Sequence, residues 1–278
     1  MTLDIAALRH PKEKIYGVIL AVIGGLVWFA LAAFIVLTAN LPLLAMVLFY
    51  CLIFWLASII VRALLRAYMM GHFVMVGPEQ FPHLHRMVVE GAAAIGLDET
   101  PITFVYNSSG VMNAMALRLI GRRRYVWLTS QLIDADDNEQ VRFVIGHELG
   151  HHAAGHLDAF PFLVKLPGHL IPFLGAAYSR ARELTCDRVG AALSGNLDAS
   201  RSALQMLACG SAKLNAAMNP AAFQAQDELV PSIAGWILHI FSHYPRHTAR
   251  VAALSQWSGQ GAPLKPSIAT TRTEPRFS

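Results

Sequence analysis

Two apolar runs near the N-terminus constrain this chain more than anything else in it. Residues 15–38 (IYGVILAVIGGLVWFALAAFIVLT) and 41–61 (LPLLAMVLFYCLIFWLASIIV) carry no charged side chain and no histidine. Each supplies the ~20 consecutive apolar residues that a helix needs to cross a bilayer core. The first is too long for a signal-peptide core, and no small-residue cleavage site separates it from the second. The link around Asn40 and Pro42 is too short for a domain. Soluble helices of this length carry a polar face, and these do not. The reading is a transmembrane hairpin within residues 1–66. Arg9, Lys12 and Lys14 precede it, Arg62 and Arg66 follow it, and the turn holds no Lys or Arg. The positive-inside rule then expects both ends, and everything from residue 67 onward, in the cytoplasm.

Composition agrees. The chain is 55% hydrophobic and 14% charged, against about 25% charged in ordinary soluble domains. The net charge of +4 comes from basic residues that are scattered or flank apolar segments. That pattern argues for lipid headgroups and against nucleic acid. Cys51, Cys186 and Cys209 form no spacing motif, so a reducing compartment without a disulfide framework is expected.

Downstream, residues 81–95 read as an amphipathic helix ending near Gly96, and 101–109 as a strand running into a turn. Segments 111–119 and 124–130 read as a hairpin around Gly121. Asp137 and Gln140 form a capping-box pattern for a helix over 138–156. Further helices are expected at 178–194 and 198–216, and residues 259–278 as a disordered tail.

The chemistry sits in VIGHELGHHAAGHL, residues 144–157. With this composition, chance gives about 0.02 occurrences of H-E-x-x-H. On a helix, His147 and His151 share one face and offer two imidazoles to one metal, and Glu148 stands beside them as a base for the attacking water. A catalytic zinc needs a third protein ligand. His156 lies about 500° round a continuous helix from His151, away from that face, so it and His152 read as histidines that support a ligand from behind or lie on the surface. The metzincin pattern fails because Ala154 and Leu157 stand where Gly and His are required. Glu183 is the better candidate, with Asp187 one turn on to orient a ligating histidine. The bland alternative is a solvated helix face paired with Arg182 or Arg188.

These pieces resemble the HtpX-like membrane zinc metallopeptidases, relatives of the type I CAAX prenyl endopeptidases. GHELGHHAAGHL is similar to their H-E-x-x-H-x-x-x-G-H segment, and RELTCDRVGA to their E-x-x-A-D helix, with Cys186 in place of Ala. NAMAL from Asn113 is similar to their N-A-F-A segment, and HYPRHTARVAAL at 243–254 to their H-P-x-x-x-x-R segment. The resemblance covers roughly residues 80–255 and the preceding hairpin. It implies an α+β, mostly helical fold: the hairpin, then a zincin-like domain with a small β-sheet over residues 67–258. It implies one Zn2+ held by His147, His151 and Glu183, with Glu148 as general base of a gluzincin-type endopeptidase. Asn113 would lie on an edge strand that pairs with extended substrate, and His243 would stabilise the oxyanion. Tyr244 intervenes between His243 and Pro245, so Tyr244 or His247 is the alternative for that role.

Two apolar stretches remain. Residues 159–177 fall between the histidines and Glu183, so they must cross the membrane an even number of times. Two crossings need about 40 residues. The segment is half that, and Lys165, Pro161, Pro167 and Pro172 interrupt it. It is expected to dip into the interface or cover the cleft. Residues 230–241 read as a buried helix. The expected protein is an integral membrane endopeptidase acting on protein or peptide substrates. A bacterial inner membrane with a cytoplasmic catalytic domain fits the short anchor. The main alternative is a membrane scaffold whose zinc site is structural or silent.

Overall fold

The structure, a computed structural model, describes residues 2–118 and 123–259. The expected turn at Gly121 and the tail beyond Gly259 lie outside the described residues. The N-terminal part comprises α1 (Ile5–Leu8), α2 (Pro11–Leu37) and α3 (Leu41–His72). The remainder begins with β1 (Val74–Met75), α4 (Pro82–Ala94), β2 (Ile102–Tyr106), β3 (Ala114–Arg118), β4 (Arg124–Thr129), α5 (Ser130–Ala135) and α6 (Asn138–Ala153). It continues with α7 (Ala159–His169), α8 (Leu174–Ser194), α9 (Leu197–Cys209), α10 (Ala212–Ala217), α11 (Pro220–Ala225), a 3-10 turn (Gln226–Leu229), α12 (Ser232–Phe241) and α13 (His247–Ser258). The fold is mostly helical with one four-stranded sheet, and α2 and α3 are long and apolar enough to cross a membrane. Asn40 separates them, its side chain accepting from the Leu43 amide.

The sheet runs β1-β2-β4-β3. β2 and β4 are parallel, and the other two pairings are antiparallel. The expected pairing of the segments flanking Gly121 appears as β3 against β4, with Ala116 opposite Val126. Among the described residues, β3 is therefore an edge strand.

α6 is the organising element. Its N-terminus carries the expected capping box: Asp137 accepts from the Glu139 and Gln140 amides, and Gln140 accepts from the Asp137 amide. From Val141 onward it is buried almost all round, against α4, the sheet, α8 and α9. A helix buried on every side needs no single apolar stripe. Its contact with α8 is close because glycines meet there. A Cβ on Gly146 would sit 2.9 Å from Gly190 Cα, and one on Gly190 would sit 2.6 Å from the Phe143 carbonyl oxygen. This approach brings the histidines of α6 within reach of the acidic side chains of α8. Gly190→Ala is expected to cost about 1–3 kcal/mol by overpacking. Urea unfolding of the detergent-solubilised chain measures it, and an unchanged midpoint would mean that the helices yield freely.

Two local expectations change, and a third segment gains a definite form. The single helix expected at 198–216 is two, because Gly210 (φ +67°) ends α9 in a left-handed cap and Ser211 starts α10. Residues 230–241 are not a buried helix. α12 buries only Gly235, and Ile233, Trp236, Leu238 and Phe241 are exposed. Residues 159–177 form α7 and the start of α8. α7 packs across α2: a Cβ on Gly24 would meet the Val164 carbonyl, Gly168 lies against Leu20, and Trp28 Nε1 donates to the Leu163 carbonyl at 2.9 Å.

Candidate metal centre

His147 and His151 lie one turn apart on α6 and turn their Nε2 atoms toward the same carboxylate. Glu183 Oε2 is 3.3 Å from His147 Nε2, and Oε1 is 3.6 Å from His151 Nε2. The Nδ1 atoms point the other way. His147 Nδ1 meets Asp187 Oδ1 at 2.9 Å. Arg250, on α13, fixes Asp187 with two bonds, Nε to Oδ2 at 2.9 Å and Nη2 to Oδ1 at 2.6 Å. His151 Nδ1 meets His156 Nδ1 at 3.1 Å. Both ligand-side nitrogens thus face one point while both opposite nitrogens are held from behind, the arrangement in which imidazoles bind metal well.

The electrostatics describe a cation site. Burial alone would lower the His147 pKa, but hydrogen bonds to Asp187 and Glu183 outweigh it and push it up to about 10. In the metal-free chain a proton on His147 supplies the positive charge that these carboxylates attract. Burial holds His151 well below the usual imidazole value, leaving its nitrogen lone pair free. For Glu183, burial is outweighed by the bond to His147, and its carboxyl lies below the usual range. Glu148 behaves differently. Burial raises it to about 7, against the pull of His147 and a hydrogen bond from the Ala116 backbone. A carboxylate poised near neutrality beside the two histidines is suited to exchange protons.

These groups line a cleft of about 350 Å3. Its other walls include Asn113 to Ala116 at the β3 edge, Arg182 from α8 and Tyr244. Asn113 stands just before β3, tied to Thr129 through its backbone. His243 is exposed and outside this lining, whereas Tyr244, its neighbour, is part of it. His247 is half-buried on α13. Cys186 offers a competing donor set, since His147, His151 and Cys186 place ligand atoms within 4.8 Å of one another. In the metal-free chain, burial, with the nearby Glu183 and Glu148 charges, raises the Cys186 thiol well above its ordinary pKa. The ligand form of cysteine is the thiolate. Two imidazoles with either the Glu183 carboxylate or the Cys186 sulfur make a donor set of the kind that holds a metal such as zinc.

Arg250 is a site residue that motif reading did not assign. Its signal was present, as the arginine that ends P-x-x-x-x-R after Pro245.

The profile of peptidase family M48 matches residues 78–166 and 158–258, which carry α6, α8 and α13 together. The chain belongs to peptidase family M48. HtpX is a member of that family, in agreement with the resemblance carried by the motifs. The plastoglobule-localized metallopeptidase 48 of Arabidopsis thaliana chloroplasts is 26% identical over 278 aligned positions, 92% of this chain and 73% of the relative. As an M48 chain, this protein is a metallopeptidase, and the family's requirement for a metal meets a donor set able to hold one.

Proposed function

We propose that this M48 chain is a membrane-anchored zinc endopeptidase in which His147, His151 and Glu183 hold one zinc ion and Glu148 is the general base. The observation that carries the reading is the convergence of both Nε2 atoms on the two oxygens of Glu183, with Glu148 buried beside them. Held by these residues, zinc would supply Lewis-acid chemistry at the scissile carbonyl. Glu148 takes the proton of the attacking water and returns it to the leaving amine. Asp187, clamped by Arg250, keeps the His147 ring in its ligating orientation. The unpaired side of β3, from Asn113, offers backbone groups to an extended peptide, which suits substrates chosen by conformation more than by sequence. Tyr244 takes over the oxyanion role expected of His243, because its side chain lines the cleft.

The anchor is the pair α2 and α3, within residues 1–72. α12 and the loop after α7 present Ile233, Trp236, Leu238, Leu170 and Phe173 to the outside. Phe173 and Phe241 touch at a centroid distance of 4.9 Å. Such a surface supports contact with the bilayer and substrates that are membrane or misfolded proteins. A bacterial plasma membrane, with the catalytic domain cytoplasmic, fits the charges flanking the hairpin.

The ligand assignment is tested by comparing Glu183→Gln with Cys186→Ala in the detergent-purified full chain. Zinc content and hydrolysis of an unfolded protein are both read. Cys186→Ala is expected to keep one zinc per chain and its proteolysis. Glu183→Gln is expected to lose zinc affinity by more than the ~10–100-fold that removal of a supporting partner costs. The reverse pattern would transfer the third ligand to the thiol.

A further inference from the structure

We infer that the first membrane-type helix does more than anchor the protein: Glu13, near the start of α2, acts through His156 to position His151 in the metal centre. This rests on His151 being a ligand. The observations come from three separate parts of the chain.

His156 follows α6 at a break. The helix ends at Ala153, and Gly155 adopts φ +72°, a left-handed conformation that favours glycine. The chain turns back there, and His156 returns beneath His151 on its Nδ1 side. On a continuous helix His156 would point away from the ligand face; the break after Ala153 is what brings it behind His151.

The His156 ring is buried and both of its nitrogens are engaged. Nδ1 meets His151 Nδ1 at 3.1 Å, and Nε2 meets Glu13 Oε1 at 3.0 Å. Glu13 is 2% exposed, an unusual state for a glutamate at the head of an apolar helix. Arg9 pairs with it from one turn before, and the Thr185 hydroxyl on α8 donates to its other oxygen. Arg9 also donates to the Ala154 carbonyl at the end of α6, and the His10 amide donates to Thr185 Oγ1. The head of α2 is thus bonded to both ligand-bearing helices.

Donor and acceptor roles follow in one direction. An ionised carboxylate only accepts, so His156 Nε2 carries the proton that Glu13 receives. Neutral His156 then accepts at Nδ1. His151 Nδ1 must donate there, which leaves the His151 Nε2 lone pair facing Glu183 and the metal. Cys186 Sγ, 3.6 Å from His156 Nδ1, adds only a weak donor. His147 is oriented by Asp187 directly, and His151 by Glu13 through one imidazole. Glu13 and His156 are positioning residues; neither touches substrate.

The test measures zinc affinity of the full chain in detergent by competition with a chromophoric chelator. The variants are Glu13→Ala, His156→Ala and the double variant, with the visible spectrum of the cobalt-substituted forms as a second readout. Each single variant is expected to bind zinc ~10–100-fold more weakly and to change the cobalt spectrum. The double variant is expected to be no worse than His156→Ala, because Glu13 acts through that ring. Additive losses, or Glu13→Ala within twofold of the parent, would overturn the inference. If Glu13→Ala does not fold, Glu13→Gln keeps the shape and must show the same non-additivity with a smaller loss. A parent that binds no zinc, or a Glu183→Gln variant that binds it normally, would instead strike the proposed metal site.

Discussion

Glu148→Gln is expected to retain one zinc per chain and to lose proteolysis of an unfolded substrate by at least about 10²–10⁴-fold, the usual contribution of a general base. The glutamine fills the same volume, and the three donors that converge in the cleft do not include residue 148. What disappears is the capacity to accept a proton. The parent gives a matching pH dependence. Glu148 must be ionised to act, and burial raises it to about 7 in the metal-free chain. Its activity therefore rises with pH through the acidic side of neutrality. A bound cation favours the ionised form and moves that limb lower, so the midpoint falls at or below 7. In the glutamine variant this limb is absent from any residual rate. Equal activity in parent and variant would mean a contaminating protease or a different base. Zinc binding without activity in either would move the protein to the silent-site reading.

Much of this centre was legible in the sequence because its chemistry is local. His147, Glu148 and His151 share a helix turn, and Glu183 and Asp187 share another; periodicity groups each set, and joining the two rested on the motif and the family resemblance. The two long apolar helices were equally plain, since composition and length decide that question. What the sequence left unread has a common cause. Whether α12 is covered depends on what packs against it, and an apolar run looks the same either way. The placement of Tyr244 ahead of His243 depends on how a loop enters the cleft. Glu13 reaches His156 across most of the chain, through a helix end set by Gly155, and no spacing rule encodes such a contact. Arg250 lay inside a recognised segment, but its role required seeing Asp187 buried against it.

Arg250→Leu carries the largest stability effect expected in the chain. Asp187 and Arg250 are 2% and 6% exposed, and their two hydrogen bonds are the carboxylate's principal compensation for leaving water. Removing the guanidinium leaves a buried charge shared only with His147, at a cost of about 3–5 kcal/mol. Urea unfolding of the metal-free chain in detergent, with EDTA, reads it. The pH dependence has a definite sign. Burial would raise Asp187, but Arg250 overcomes it and holds the carboxyl below its ordinary value. In the parent that stabilisation is present above the unfolded carboxyl pKa of about 4 and is lost only as pH falls through the lower folded value. In the variant the uncompensated carboxylate costs most when ionised, so the gap between the two proteins narrows as pH drops toward and below about 4. The double variant Arg250→Leu with Asp187→Leu removes both charges and is expected to recover most of the stability. It cannot recover the metal centre, because His147 Nδ1 then has no acceptor and zinc affinity falls ~10–100-fold. A double variant that regained both stability and zinc affinity would mean that Asp187 does not orient His147. One that regained neither would place the loss in packing around α13 and not in the buried charge.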